Sequence, residues 1–454
     1  HGLRTYEWTH PPLGKVLMMF GIEMFGMTPF GWRFMGTLAG VLMLPVLYLI
    51  VKQLTKRTDL SFIAMFLFAV DAMHFTQTRI ATIDSYAVFF ILVMYFFMFR
   101  FSRMRWRRDG FWRSLIPLGL SGLFMGVAWA TKWIGIYASA GLAAIFLWAI
   151  ANNIREDRAT LRGGLFFAMT WAGLLTMLGA AGSKVLDHSG MLALSASRLS
   201  RALMLAAQWW VPISLAGFAL TAVGIALLAL REENRLFFRL AIASAFSVLM
   251  FVVVPLLIYY FSYYWHMQAE GGLTIERVLN LQKSIFNYHA GLGGDTHYFR
   301  SEWYEWPVIA WPMWYYSGTK FVAAGMISSI SCMGNPAVWW FGLAALLFVA
   351  FATAWRRRAP RAYVLVLIAF LSQYLPWVVV PRSTFIYHYF ASVPFIIVAA
   401  ALLLDRIRRK SRQAFIASAG ILMAVALLLF IAFYPLESGL PVARNYAMLL
   451  RWFN

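Results

Sequence analysis

Runs of about twenty mainly apolar residues recur along the whole chain, each long enough to cross a bilayer as a helix. Twelve can be read, near residues 30–51, 60–76, 82–100, 115–131, 133–151, 164–183, 208–230, 238–262, 337–355, 362–380, 385–404 and 414–434. The second is short, and the pair flanking Lys132 is separated by little more than that lysine. They explain why 62% of residues are hydrophobic and 13% charged, where a soluble domain has roughly 45–50% and 25%. A soluble globular fold, a disordered chain and a secreted disulfide scaffold are thereby excluded. The lone cysteine, Cys332, leaves no internal disulfide and no cysteine-based metal cage. The expectation is an all-α polytopic membrane protein, a bundle of about 12 transmembrane helices forming a single domain over residues 1–454.

The net charge of +21 would suggest nucleic acid on a soluble chain. Here 24 of the 39 Lys and Arg residues fall in six connections on one side, 52–59, 100–113, 152–163, 231–239, 356–361 and 405–413. Arg356, Arg357, Arg358 and Arg361 alone put four in six positions. By the positive-inside rule this side is cytoplasmic, so the basic excess is an orientation signal facing anionic lipid rather than a nucleic-acid surface. The other side carries most of the acids, including Glu7, Glu23, Asp187, Glu270, Glu276, Asp295 and Glu437. It also carries the first outer segment, 1–29, and one long loop, 263–336, rich in Trp and Tyr. Loops of that length are functional or disordered, and this aromatic content speaks for function. Chemistry is therefore expected on the outer face.

Five groups of residues there stand out. In Trp8-Thr9-His10-Pro11-Pro12-Leu13-Gly14-Lys15, Pro12 suits a helix start, and His10 and Lys15 sit where the dipole of a short interfacial helix over 13–27 favours an anion. A proline-terminated helix with a snorkelling lysine accounts for the same spacing. Asp71, His74, Arg79 and Asp84 crowd the turn between the second and third runs. Ionisable groups cost roughly 2.5–3.5 kcal/mol each at the centre of an inserted helix, less near its ends, so these need partners or a polar cavity. Arg79 offers a planar fork suited to phosphate; an internal Arg79–Asp84 ion pair is the competing reading. The segment from His297 through Glu302, Trp303 and Glu305 to Trp306 mixes charge and aromatics more densely than an interfacial belt requires, whereas Trp311, Trp314, Tyr315 and Tyr316 fit such a belt. Gly334-Asn335-Pro336 precedes Trp339-Trp340 as a turn, and Pro381-Arg382 with His388 lies between the tenth and eleventh runs.

These motifs, in this order and on one face, resemble the protein O-mannosyltransferase family in its bacterial form. The resemblance covers essentially the whole chain; each motif alone is weak and the ordered set is fairly specific. It implies a GT-C-type glycosyltransferase with an outer-face long loop, multi-pass in the cell membrane and active on its extracytoplasmic side. Such an enzyme moves a hexose, usually mannose, from a polyprenyl-phosphate carrier to Ser or Thr hydroxyls of secreted or membrane proteins, with inversion. The resemblance gives Arg79 and Asp84 catalytic roles, and His10, Lys15, Arg79, Arg382 and His388 contact with the carrier phosphate. It puts His297, Glu302, Trp303, Glu305, Trp306 and Asn335 on the sugar or acceptor side. The family's base is an Asp followed by Glu upstream of His-Pro-Pro. Residues 1–9 hold no such pair, so it and a first helix are expected to be encoded before His1.

No Walker loop, dinucleotide glycine fingerprint or His-Glu-x-x-His helix is present. ATP hydrolysis and zinc hydrolysis are therefore unsupported. The partners that the resemblance implies are a lipid-linked sugar donor, a protein acceptor and membrane lipids; no required cofactor, no metal and no nucleic acid are expected. A GT-C transferase that adds aminoarabinose to lipid A is the neighbouring alternative, disfavoured by the His-Pro-Pro-Leu-Gly-Lys and Trp-Tyr-Glu-Trp-Pro segments. A transporter or flippase for lipid-linked sugars would instead place its polar groups at the midplane and show repeats, and neither is seen.

Overall fold

The computed structural model describes residues 7–154, 161–188, 198–230, 235–268, 270–291, 297–355, 359–380 and 382–450. Arg356, Arg357, Arg358, Asp295, Pro381 and parts of the basic segments 152–163 and 231–239 lie outside the described residues. Nineteen helices run in the order α1 (Leu13–Phe25), α2 (Pro29–Thr55), α3 (Thr58–Ala69), α4 (Ala72–Arg79), α5 (Asp84–Arg103), α6 (Phe111–Thr131), α7 (Ile134–Ile154), α8 (Leu161–His188), α9 (Arg198–Gln208), α10 (Trp210–Ala229), α11 (Arg235–Val248), α12 (Val254–Ser262), α13 (Tyr264–Gln268), α14 (Ile275–Gly291), α15 (Pro336–Trp355), α16 (Arg361–Tyr374), α17 (Val393–Lys410), α18 (Arg412–Ser438) and α19 (Arg444–Leu450). The all-α membrane architecture stands. Ten helical stretches among the described residues are long and apolar enough to cross a membrane, or eleven if α3 and α4 form one bent span, beside the bundle of about twelve expected.

Two of the twelve runs depart from a single straight helix. The run 60–76 is broken between α3 and α4, which meet at 59°. Asp71 causes the break: its carboxylate accepts from the His74 N–H at 3.1 Å and caps α4, a task Asp performs only by leaving helical geometry. The run 385–404 opens as a 3-10 turn, Ile386–Ala391, before α17 begins, and α17 ends in Arg408, Arg409 and Lys410. It is nonetheless the most interior helix, with Val393–Ala401 buried without interruption among α2, α3, α15, α16 and α18. By contrast α8 and α10 pack chiefly on each other and leave most of their surfaces facing outward.

Helix starts follow ordinary capping rules. Thr28 caps α2 by accepting from Gly31 N–H at 3.1 Å, with Pro29 at the first helical position. Within segment 263–336, α13 and α14 are followed by strand β1 (Met313–Ser317), which pairs antiparallel with β3 (Ser329–Cys332), Met313 opposite Cys332. Strand β2 (Met326–Ile327) pairs with β4 (Val442–Ala443), tying this segment to the chain after α18.

Candidate functional site

The site forms where α1, α5, α6 and α14 meet the 382–391 turn. Lys132, at the end of α6, lies 2.7 Å from Asp84 at the start of α5, and both side chains are almost wholly buried. This replaces the Arg79–Asp84 pair that the sequence allowed. The Lys132 ammonium also stands 5.6 Å over the Tyr387 ring, a cation–π distance. Gly14 brings the first motif to this point. A Cβ there would sit 2.7 Å from Ile83 and 3.3 Å from Thr131, so only glycine lets α1 approach the residues next to Asp84 and Lys132.

His10 then faces His289 of α14, with ring centroids 5.1 Å apart. His289 Nε2 donates to the Thr9 carbonyl at 2.8 Å, which leaves Nδ1 to accept from Arg382 Nη1 at 3.3 Å. Burial, then the cations Lys132, Lys15 and Arg382 and the neighbouring His289, push the His10 imidazole down to about 2. Burial chiefly, with Arg382 and Lys132, lowers His289 as well. Both rings are therefore neutral, and the cationic character of the site comes from Lys132 and Arg382. Lys15 is engaged elsewhere: its ammonium pairs with Glu7 at 2.5 Å and donates to the Glu7 and His10 carbonyls.

The remaining expected residues divide into those at the site and those that build its walls. His388 lies near Lys132 and Arg382 but is held: its Nδ1 accepts from the Phe385 N–H at 3.0 Å, and Trp377, Tyr387 and Trp306 cover its ring. Trp306 is fully buried, its N–H donating to Ser301, so it is a pillar beneath His388 rather than an open sugar platform. Trp303 stacks edge-on against Tyr374, whose hydroxyl donates to the Trp303 carbonyl at 2.8 Å. Glu302 pairs with Arg300 at 2.6 Å, and Glu305 accepts from the Glu302 N–H. His297 is exposed, edge-on to Phe385 at 4.9 Å.

Asn335, expected on the sugar or acceptor side, is buried and bonded to the protein itself. Its amide donates to the Val70 and Ala426 carbonyls, and its N–H donates to Asp71 at 3.1 Å. Asp71 also accepts from the Trp339 indole at 2.8 Å. Gly334 is required here, because a Cβ would fall 2.0 Å from the Trp339 ring. Arg79 points away from Asp84. It donates to the Glu437 carbonyl at 3.0 Å, lies 5.1 Å from the Phe75 ring, and lines an apolar groove of about 580 Å³ with Phe30, Arg33, Phe34 and Leu38.

Sequence reasoning missed Lys132 as a site residue, although a lysine between two apolar runs was a visible signal. It missed His289, which carries no local signal. Gln77 of the same Gln-Thr-Arg turn donates its amide to the Tyr315 hydroxyl at 2.7 Å. Among the described residues no three His, Cys, Asp or Glu side chains are placed to hold a metal.

A buried cation–carboxylate pair beside neutral imidazoles, at one end of a helical bundle, suits an enzyme acting on an anion. The fold is that of the GT-C membrane glycosyltransferases. The Saccharomyces cerevisiae protein O-mannosyltransferase complex solved with its sugar donor bound superposes with a TM-score of 0.66 at 12% identity, over all of this chain and 86% of that one. Residues 8–178 match the family described as dolichyl-phosphate-mannose-protein mannosyltransferase, and 274–454 match the C-terminal four-span region of protein O-mannosyltransferase. The polyprenol-phosphate-mannose–protein mannosyltransferase of Corynebacterium glutamicum is 25% identical over 98% of this chain and 80% of its own length. Its Mycobacterium tuberculosis counterpart is 24% identical over the same shares. The chain belongs to the protein O-mannosyltransferase family and is a glycosyltransferase.

Proposed function

We propose that the protein transfers mannose from a polyprenyl-phosphate carrier to Ser or Thr hydroxyls of proteins on the extracytoplasmic side of the cell membrane, with inversion. The observation that carries this reading is the convergence of Lys132, Arg382, His10 and His289 at the outer ends of the helices. When the sugar leaves its carrier, negative charge builds on the phosphate. Fixed cations and N–H donors in a water-poor site stabilise that charge without reorganising. Arg382 and Lys132 are proposed to hold the phosphate, and the neutral His10 to supply a hydrogen bond. Asp84 acts through Lys132, holding the ammonium in place, so the role proposed for it is positioning. The groove beside α2 offers an apolar track for the polyprenyl chain, and Arg33 and Arg79 sit at its polar edge. Glu302, Trp303 and His297 remain on the side proposed for the acceptor.

The test is an assay in membranes with polyprenyl-phosphate-mannose and a Ser/Thr peptide, comparing wild type, Arg79→Ala and Arg382→Ala. Transfer to the peptide, lost in Arg382→Ala, supports the reading. Equal transfer by Arg79→Ala removes Arg79 from phosphate contact. Lipid A modified in place of the peptide replaces the acceptor class.

A further inference from the structure

The end of the bundle opposite the candidate site holds a second, unassigned feature. The C-terminal ends of α2, α5 and α17 and the start of α16 enclose a cavity of about 860 Å³. Helix α5 runs from Asp84 at the candidate site to Arg103 at this cavity; its twenty residues put the two roughly 30 Å apart. The floor is apolar, formed by the buried Tyr363, Leu365 and Leu402. The rim is basic.

Seven Lys and Arg residues and two Asp residues line it. Both acids are already neutralised by the rim itself. Asp109 is bound by Arg108 at 2.9 Å, and Asp405 by Arg409 at 2.7 Å. Five cations are left over: Lys56, Arg100, Arg103, Arg361 and Arg406. None of these side chains has an ion pair or hydrogen bond among the described residues. They come from four different elements and converge on one space. Lys56 is held there by a left-handed backbone, φ 63°, at the end of α2. Crowding by Arg103, burial and Arg100 lower its ammonium's affinity for a proton. The start of α16 adds the N–H groups of its first turn, which no side chain caps.

A topogenic charge excess needs only to be present near the membrane; it need not surround a cavity. Like charges brought together over an apolar floor repel, and an anion relieves the repulsion. Arginine forks match phosphate oxygens in pairs. We infer that this cavity binds a phosphate-bearing anion, a phosphomonoester, phosphodiester or diphosphate, whose organic part rests on the Tyr363–Leu365–Leu402 floor. The source is either an anionic phospholipid headgroup or a soluble phosphorylated compound. The inference is independent of the transferase reading, because it concerns the other end of the bundle.

The test uses the full chain in nanodiscs. One arm reconstitutes it in phosphatidylcholine with and without one-fifth phosphatidylglycerol and reads retained lipid by native mass spectrometry. The other titrates inorganic pyrophosphate in phosphatidylcholine discs by calorimetry. Variants are Arg100→Gln with Arg103→Gln, and separately Arg406→Gln. The control is Lys410→Gln with Arg412→Gln, basic residues on the same face outside this cavity. Saturable binding in one arm, weakened at least tenfold by either cavity variant and less than twofold by the control, supports the site and identifies its source. Equal loss in control and cavity variants reduces it to a generally basic face. No saturable binding of either probe by the wild type overturns it, whether or not the variants fold.

Discussion

Two ionisable clusters lie near the same end of the bundle, and they use their polar capacity in opposite ways. Around Asp71 the capacity is consumed internally. One carboxylate takes the His74 N–H, the Asn335 N–H and the Trp339 indole, and Asn335 gives both amide hydrogens to carbonyls of α18 and the α3–α4 break. Around Lys132 it is left open. One ammonium meets one carboxylate oxygen, a guanidinium meets one ring nitrogen, and two imidazoles are kept neutral. The first cluster fixes how α15 and α18 seat against the bent span. The second has donors left for a ligand. A buried charge therefore points to function only where its hydrogen-bonding capacity is not already satisfied by the protein.

Removing one member of the open pair should have the largest effect. Lys132→Ala leaves Asp84 buried and unpaired, and breaking such a pair costs about 3–5 kcal/mol. Thermal unfolding in detergent should fall sharply and transfer should vanish. Lys132→Met combined with Asp84→Asn should recover stability but not transfer, separating the pair's structural and chemical parts. Recovery of transfer would remove Lys132 from the chemistry.

Arg382→Ala comes next. Losing one donor to developing charge costs about 10²–10³-fold in turnover. We expect that loss with the melting temperature nearly unchanged, because the bond to His289, 3.3 Å long, is the one polar bond Arg382 makes to the site among the described residues. A matching loss of stability would assign Arg382 to the frame.

The consumed cluster should answer in the reverse manner. Trp339→Phe deletes one bond to buried Asp71, worth about 1–3 kcal/mol when the partner is left unsatisfied. Stability should drop by that amount while transfer per folded molecule stays within a few-fold. A selective loss of transfer would erase the contrast between the two clusters.

The last effect is absent at neutral pH and develops only in acid. His10 is held near 2 by burial and by neighbouring cations, below its unfolded value of about 6.5. Its contribution to stability is thus complete above about 6.5 and declines as pH falls toward 2, by at most about 1.4 kcal/mol per pH unit. His10→Gln should flatten the acid limb of the unfolding curve. An unchanged limb would show that the ring is solvated rather than enclosed. Donor binding should also take up a proton in this range, since a phosphate would offset the cations that depress His10.

Much of this was legible in the chain. Apolar runs of helical length specify membrane spans because unsatisfied backbone is intolerable in lipid, and clustered Lys and Arg specify their orientation. Two of those runs are bent where a polar residue redirects the backbone: Asp71 caps a new helix, and the 386–391 turn tightens beside His388. The motifs His10 to Lys15 and Arg382 with His388 do meet in space, and Gly14 shows why a glycine stands in the first of them.

What the sequence could determine was local or additive: helix length, the clustering of basic residues in alternate connections and the family the motifs resemble. What only the tertiary structure decided was which charge meets which. Asp84 chooses Lys132, 48 residues away, over Arg79, five residues away. His289 reaches Thr9 across 280 positions, and Asn335 reaches Asp71 across 264. Helical periodicity relates residues three or four apart. It carries no information on which helix ends a bundle brings together, and the partner a buried charge finds there decides whether it braces the fold or remains available to a substrate.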